Sequence, residues 1–168
     1  SAAGQNKLAD AETLVINRGQ VNLQGTGGGT ESVAGGSLGR GLNMITRSAG
    51  TGILQANTLT LATGAAVNFG NLATTAPSHV TTDNLNSANG LLGAWAIAIN
   101  GTTDSNWVKS AAAGADNAAV AFSGADYTTQ NAIDSWAAGQ NILADGNITA
   151  GTTGEKTIST LKIARSTV

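Results

Sequence analysis

Short strand-like runs separated by Gly or Asn constrain the fold of this chain more than any other feature. Apolar and polar residues alternate within many runs, as at Leu14/Ile16 and Leu59/Leu61. This period of two predicts β-strands. The clearest runs cover residues 12–17, 20–24, 31–38, 41–47, 52–55, 57–62 and 65–69. They recur about every seven to twelve residues, so the chain reverses or turns a corner after each one.

Two all-β folds accommodate this spacing. One is a solenoid, or β-helix, in which each short strand stacks on the equivalent strand of the next coil, and the other is an antiparallel β-sandwich of short hairpins. Aromatic residues are only 4% of the chain, and Gly occurs 23 times. Small side chains suit narrow coils, and Gly and Asn tolerate the positive φ angles that corners require. We therefore favour the β-solenoid and keep the sandwich as the alternative.

The strand spacing changes twice along the chain, which predicts three segments within one structural domain. Residues 1–70 are predicted to form solenoid coils. Residues 71–140 are an excursion, and within it residues 91–109 carry an alternating pattern on both sides of Asn100-Gly101, a strong hairpin turn signal. We expect that hairpin to act as a plug over one side of the module. Residues 141–168 return to short runs.

An internal repeat links the two ends of the chain. Residues 21–38 align with residues 146–163 at an offset of 125 without a gap, and Leu23, Val33 and Leu38 fall on isoleucines. This match predicts that residues 141–168 begin a second repeat. A solenoid coil has an open β edge, and neither terminus carries a Pro-rich, highly charged or helical cap. We therefore expect copies or consecutive repeats to stack end to end.

Charge, length of apolar segments and residue types exclude several functional classes. The net charge is −2 with eight basic residues, which gives no electrostatic footprint for nucleic acid. No segment approaches the roughly 18 apolar residues that a membrane-spanning helix needs. Cys is absent, which excludes thiol catalysis. His79 is the only imidazole and is interpreted as a loop residue following Pro77. We predict no catalytic residues and no enzyme activity.

We also predict no cofactor and no metal site. Calcium is the one alternative, because Asp116-Asn117 and Asp145-Gly146-Asn147 place oxygen ligands close together in the sequence. Neither group completes a calcium-binding loop, and Asx turns explain both groups equally well.

The scarce aromatic residues are the candidates for contact with a ligand. Trp95 and Trp107 lie on the two arms of the predicted hairpin, and Tyr127 and Trp136 follow it. Exposed aromatic rings bind carbohydrate, whereas buried rings dominate packing. These four residues are therefore candidate glycan contacts or structural aromatics.

Several short motifs follow one another in a characteristic order along the chain. They are Leu8-Ala9-Asp10, Glu31-Ser32-Val33, Ala65-Ala66-Val67-Asn68-Phe69, Gly93-Ala94-Trp95-Ala96, Asn100-Gly101 and Trp107. In this order they resemble the autotransporter-associated β-strand repeat of large bacterial surface and secreted proteins. The resemblance covers about residues 6–109, with a second start at 141–163. The resemblance implies a right-handed parallel β-helix located outside the cell or at the cell surface. It assigns no catalytic residue.

These observations lead to a structural role as the expected function. We expect an extracellular repeat protein that self-associates, or packs on adjacent repeats of a longer chain, into a bacterial surface fibre, sheath or filament. Its role would be that of a scaffold or an adhesive surface. The alternative is a carbohydrate-binding adhesin module that contacts cell-surface polysaccharide.

Overall fold

The computed structural model describes residues 8–24, 28–75, 78–101, 104–111, 117–152 and 154–164. The chain divides into two compact units. The first, Ser1–Ala121, is called the solenoid unit, and the second, Phe122–Val168, is called the C-terminal unit.

The described residues of the solenoid unit form ten strands. They are β1 (Thr13–Ile16), β2 (Gln20–Leu23), β3 (Thr30–Leu38), β4 (Gly41–Arg47), β5 (Ile53–Leu61), β6 (Ala65–Gly70), β7 (Val80–Thr82), β8 (Ala96–Asn100), β9 (Asp104–Ser110) and β10 (Asn117–Ala121). Of the first six strands, β5 spans two of the runs that the sequence predicts as strands, and each of the other five coincides with one run to within a residue or two. β7 and β8 lie in the predicted excursion, as do β9 and β10.

The first eight strands stack in two parallel series. Odd-numbered strands follow the order β1-β3-β5-β7, and even-numbered strands follow β2-β4-β6-β8. Ile16 pairs with Leu38, 22 positions later, and Leu38 pairs with Leu61, 23 positions later. One coil therefore takes about two of the predicted runs. This stacking confirms the predicted β-solenoid, and parallel pairing between coils excludes the alternative sandwich.

Strands β3 and β5 each turn a corner without leaving the ladder. In β5, Ala56 and Leu59 are buried, whereas Asn57 and Thr58 between them are exposed. A flat strand would alternate strictly, so two successive exposed residues mark a bend. In β3, Val33 and Gly36 pair in register with Ala56 and Leu59, so β3 follows the bend of β5. Each coil therefore has a third side.

A continuous apolar core fills the coils. Val33, Ile45, Leu54, Val67 and Phe69 are among the residues of this core, and their exposed fractions are 2% or less. Two adjacent glycines let β3 lie close to β5, because a Cβ at Gly35 would sit 2.8 Å from the Thr58 carbonyl oxygen. That approach is shorter than real Cβ contacts allow, so the small residues predicted to suit narrow coils are required at this position.

Strands β9 and β10 close one end of the solenoid unit. β9 pairs antiparallel with β8, β10 pairs antiparallel with β7, and β9 and β10 pair antiparallel with each other. β9 and β10 are called the closing strands. They join both parallel series into one ten-stranded sheet. The predicted hairpin across Asn100-Gly101 is thus confirmed as β8–β9, and it covers the end of the coil stack.

Asparagine side chains connect successive coils in addition to the backbone ladders. The Asn84 amide accepts a hydrogen bond from the Leu59 backbone N–H (2.7 Å) and donates one to the Leu59 carbonyl (3.1 Å). Asn100 makes the same paired contact with the backbone of Leu72, and Asn86 makes it with Ser110. Each pair spans 24 to 28 positions of sequence, about one coil.

Positive φ angles are rarer at asparagine than the sequence suggests. Outside glycine, positive φ among the described residues is confined to Arg18 and Asn71. The asparagines therefore mainly bridge coils and rarely adopt the corner conformation expected of them.

The C-terminal unit has a second parallel sheet. β11 (Thr128–Thr129), β12 (Asn141–Ala144) and β13 (Thr160–Ile163) pair in that order, all parallel. An isolated parallel bridge joins Ala132 to Thr149. Two single-turn 3₁₀ helices, Gly124–Asp126 and Ile133–Ser135, complete the described elements.

Some residues that the offset of 125 aligns end a strand in both places. Leu38 and Ile163 are the last residues of β3 and β13, whereas residues 145–148, which align with β2, are not in a strand. Leu38 pairs with Ile16 in β1, and Ile163 pairs with Ala144 in β12. The coil between paired residues takes 22 positions in the first case and 19 in the second. The two strand pairs are alike, with a coil three residues shorter in the C-terminal unit.

We predict that Asn84→Ala destabilises the solenoid unit by about 2 kcal/mol, because it leaves the backbone N–H and carbonyl of Leu59 without their side-chain partners. Denaturant unfolding followed by tryptophan fluorescence measures this change. The matched control is Asn57→Ala, an exposed corner residue whose backbone carbonyl keeps its hydrogen bonds to Asp83 and Thr82. We expect that control to stay within about 0.5 kcal/mol of the wild type. Equal losses in the two variants would contradict the bridging role.

Candidate functional site

The four candidate aromatic residues are divided between the two units. Trp95 and Trp107 lie in the solenoid unit, and Tyr127 and Trp136 lie in the C-terminal unit. All four are half-buried. Each unit therefore holds two of the four aromatic residues, and the surroundings of each residue differ.

Trp95 is mainly a packing residue. Its ring lies 6.4 Å from that of Phe69, centroid to centroid, and its side chain packs against the apolar core. A Cβ at Gly93 would overlap the Trp95 indole nitrogen. The Gly-Ala-Trp sequence is thus explained locally, because glycine leaves room for the indole to fold back over the coil.

Trp107 faces outward on β9. Its neighbours in sequence, Asn106 and Val108, are buried, so alternation along the strand places Trp107 and Lys109 on the opposite face. Trp107 pairs in register with Ile97 of β8. The same row continues across the sheet through β6, β4 and β2, with the residues Asn68, Met44 and Gln20. Trp107 therefore ends a row of in-register side chains in which Asn68 is buried and Trp107 is half-buried.

The two aromatic residues of the C-terminal unit have intramolecular partners. Tyr127 packs edge-on against Phe122, with ring centroids 5.3 Å apart, and the Lys162 ammonium lies 5.9 Å from the Tyr127 centroid. The Trp136 indole N–H donates to the Gln130 carbonyl at 3.1 Å. These contacts fix both rings within the unit, in keeping with the structural interpretation of these aromatics.

His79 is buried to a degree that the sequence does not reveal. It directly precedes β7 and is 1% exposed, and its Nε2 has no hydrogen-bond partner among the described residues. Burial, and then the nearby Arg47 guanidinium, lower the pKa of His79 from 6.5 to about 4, against a smaller opposing effect of a hydrogen bond with the Ile45 backbone. The interpretation as a loop residue missed this burial, which depends on residues more than thirty positions away.

The oxygen-rich groups considered for calcium have other roles or lie outside the described residues. Asp116 is outside them. The Asp145 carboxylate accepts a hydrogen bond from Asn131, and the Asn131 side-chain oxygen accepts from the backbone N–H groups of Asp145 and Gly146. In the part of the chain that the structure describes, no group of three or more His, Cys, Asp or Glu residues is arranged to hold a metal ion.

The last coil carries a feature that sequence reasoning did not locate. Leu161 and Ile163 of β13 pair with Ile142 and Ala144 of β12, which are fully buried. Register partners share one side of a parallel sheet. Nevertheless, Leu161 is 36% exposed and Ile163 is 63% exposed. Core-side residues of the last coil are thus uncovered, and β13 pairs with β12 alone among the described strands.

Among the described strands, those of the first coil also have an edge without a partner strand. β1 pairs only with β3, and β2 only with β4, within the described sheets. Leu14, Val21 and Leu23 pack against the core but remain partly exposed. At the end covered by the closing strands, by contrast, Val80 and Ala98 are fully buried. We take the open edges of the first and last coils as the candidate interaction site.

In comparisons with known proteins, no family model, no curated protein and no solved structure matches this chain. Among the described residues, no helix is both long and apolar enough to cross a membrane.

We predict that the stability of the solenoid unit falls as the pH is lowered from 6.5 to 4. The unfolded chain binds a proton at His79 near pH 6.5, whereas the folded chain binds it only near pH 4. The contribution of neutral His79 to the free energy of unfolding is therefore fully present above pH 6.5. It decreases by up to about 3 kcal/mol as the pH falls from 6.5 to 4. Urea unfolding at pH 7.5, 5.5 and 4.5 measures the loss.

The control for the pH dependence is His79→Phe, which keeps a ring of similar size and removes the titrating group. We expect the variant to show a smaller decrease in stability over the same pH range. A decrease equal to that of the wild type would show that other groups determine the acid sensitivity.

Proposed function

We propose that this chain is an extracellular structural repeat protein of the bacterial surface, whose coils extend into a fibre, sheath or filament. The observation that carries the proposal is the pairing pattern of the strands. Successive coils are joined by parallel backbone ladders, the last coil leaves Leu161 and Ile163 exposed, and the first coil leaves Leu14, Val21 and Leu23 partly exposed. A solenoid segment of this kind gains stability from each neighbouring coil that covers it.

The proposal includes the resemblance to autotransporter-associated β-strand repeats. The strand β6 occupies Ala65–Gly70, which contains the Ala-Ala-Val-Asn-Phe motif, and the motif residues Asn100 and Gly101 lie at the turn between β8 and β9. These motifs fall on elements that build the coil stack. The resemblance supports a scaffold or adhesive role at the cell surface, and the partner is another copy of the chain or an adjacent repeat.

Low charge favours such stacking. Charged residues make up 11% of the chain, and the net charge is −2. Copies that stack therefore repel one another weakly. The exposed positions of β5 are the uncharged residues Asn57, Thr58 and Thr60, and the Thr60 hydroxyl donates to the Gly36 carbonyl at 3.2 Å. Neutral outer faces of this type suit close packing of filaments into a sheath.

We predict that the purified chain forms elongated particles as its concentration rises. Negative-stain electron microscopy and multi-angle light scattering from low micromolar to millimolar concentration measure this. Because burial of the uncovered apolar residues drives association, raising sulfate concentration should increase particle length. Discrete, uniform monomers at every concentration would contradict the structural role.

The alternative function, a carbohydrate-binding module, is favoured by one observation, the outward orientation of Trp107 beside Lys109 on β9. Stacking of a sugar ring on this indole would anchor a polysaccharide along the outer face. Retention on insoluble polysaccharides, compared between the wild type and Trp107→Ala, tests this function. Trp136→Ala is the control, because its indole N–H already donates within the C-terminal unit. Equal retention of all three proteins would exclude a site at Trp107.

A further inference from the structure

We infer that a second copy of the chain docks head to tail, with the free edge of β13 in one copy pairing in parallel with the free edge of β1 in the next. This inference rests on the structural role proposed above and deepens it by naming the partner, the strands and the register. Three observations carry it.

The first observation is the polarity of the two edges. In the solenoid unit β1 precedes β3 and β5 in the parallel series, so its free edge faces against the direction in which coils accumulate. In the C-terminal unit β13 follows β11 and β12, so its free edge faces along the direction in which the coils of that unit accumulate. An edge of one kind pairs with an edge of the other kind to continue a parallel series. A contact between two different surfaces repeats from copy to copy, and it produces an open fibre when the rotation between copies does not close a ring.

The second observation is the contrast between the open ends and the closed end. Ile163 and Leu161 are exposed although their register partners in β12 are fully buried. At the closed end, the closing strands bury the core-side residues of β7 and β8 completely. Strands that cover a coil therefore remove this exposure within the same chain. Among the described strands, none covers β13 on the side of its free edge.

The third observation is that β1 has the sequence that such a strand requires. In the solenoid unit β3 lies between β1 and β5, and its residues 36–38 pair with Leu14-Val15-Ile16 on one side and Leu59-Thr60-Leu61 on the other. Both neighbours of β3 thus present two apolar core-side residues separated by one outward residue. β13 ends at the position equivalent to the end of β3. A β1 strand from a second copy therefore places Leu14-Val15-Ile16 opposite β13, just as β5 places Leu59-Thr60-Leu61 opposite β3.

The register follows from this equivalence. Leu161 of one copy lies opposite Leu14 of the next, Lys162 opposite Val15, and Ile163 opposite Ile16. Lys162 and Val15 then share the outer face, away from the apolar core. Val15 is 69% exposed in the single chain, so the outer face at this position is accessible to a neighbouring side chain.

The absence of Cys from the chain allows a direct crosslinking test. Val15→Cys and Lys162→Cys are made as separate variants, mixed in equal amounts and oxidised. Directly opposed residues of adjacent strands lie about 5 Å apart, which is within the range for a disulfide. We expect the mixture to form disulfide-linked dimers at least tenfold faster than either variant alone. Dimers that form equally fast from Lys162→Cys alone would overturn the head-to-tail register.

The matched control for the crosslink is Thr60→Cys mixed with Lys162→Cys. Thr60 is exposed on the outer face like Val15, but it lies on an inner strand, β5, which pairs with β3 at Thr60 and with β7 at residues 54–56. We expect at least tenfold less crosslinking in this mixture. Equal crosslinking in the two mixtures would show that the contacts are random collisions and would overturn the proposed docking.

A second pair of variants tests the apolar part of the edge without oxidation. Ile163→Lys places a charge at the docking edge, and Leu42→Lys places one at an exposed leucine on β4, away from the edges. In sedimentation velocity we expect Ile163→Lys to weaken association at least tenfold and Leu42→Lys to associate like the wild type. Circular dichroism establishes that both variants keep the β fold.

The outcomes separate this inference from the proposed function. Wild-type particles that grow with concentration, together with unaffected association of Ile163→Lys, would refute docking through β13 and leave the structural role standing. A wild-type chain that stays monomeric at every concentration would refute both.

Discussion

The pairing of each coil with the next is the interaction on which the rest of the structure depends. A short strand cannot satisfy its backbone N–H and carbonyl groups by itself, and buried groups without partners cost stability. Among β1 to β6 the partners lie 22 to 24 positions away, on the coil before or after. Asparagine side chains add further bonds to the backbone of the neighbouring coil, as Asn84 does with Leu59. Stability is therefore transmitted from coil to coil, and an end without a neighbour is its weakest place.

A coil edge is either covered by further strands or left open, and both cases occur in this chain. Closing strands β9 and β10 pair with β8 and β7 and bury the core-side residues there. At β13 no described strand covers the core-side residues, and Ile163 is left exposed. A covered edge stops the addition of further strands, whereas an open one invites it. The distribution of covered and open edges thus determines where further strands can add.

The strands of the solenoid could be predicted from the sequence because the signal is local. Alternation at Leu59/Leu61 and the glycines between runs identify strands and corners, and Asn100-Gly101 identifies the β8–β9 turn. The interior position of His79 could not be predicted, because Arg47 and Ile45 approach it only when coils stack. The antiparallel pairing of β10 with β7 is equally non-local. Open coil edges were expected from the sequence, but Ile163 could not be identified as the exposed residue, because its sequence pattern is the same as that of buried strands.

Amide hydrogen exchange of the wild-type chain, compared between dilute and concentrated samples, tests most directly whether coil-to-coil pairing governs assembly. If it does, the amides of β1, β2 and β13 gain protection on concentration, because new backbone hydrogen bonds form at these edges. The amides of β9 and β10 keep the protection that they already have in the dilute sample. Protection gained at β9 and β10 but not at β1 and β13 would contradict assembly through the open edges.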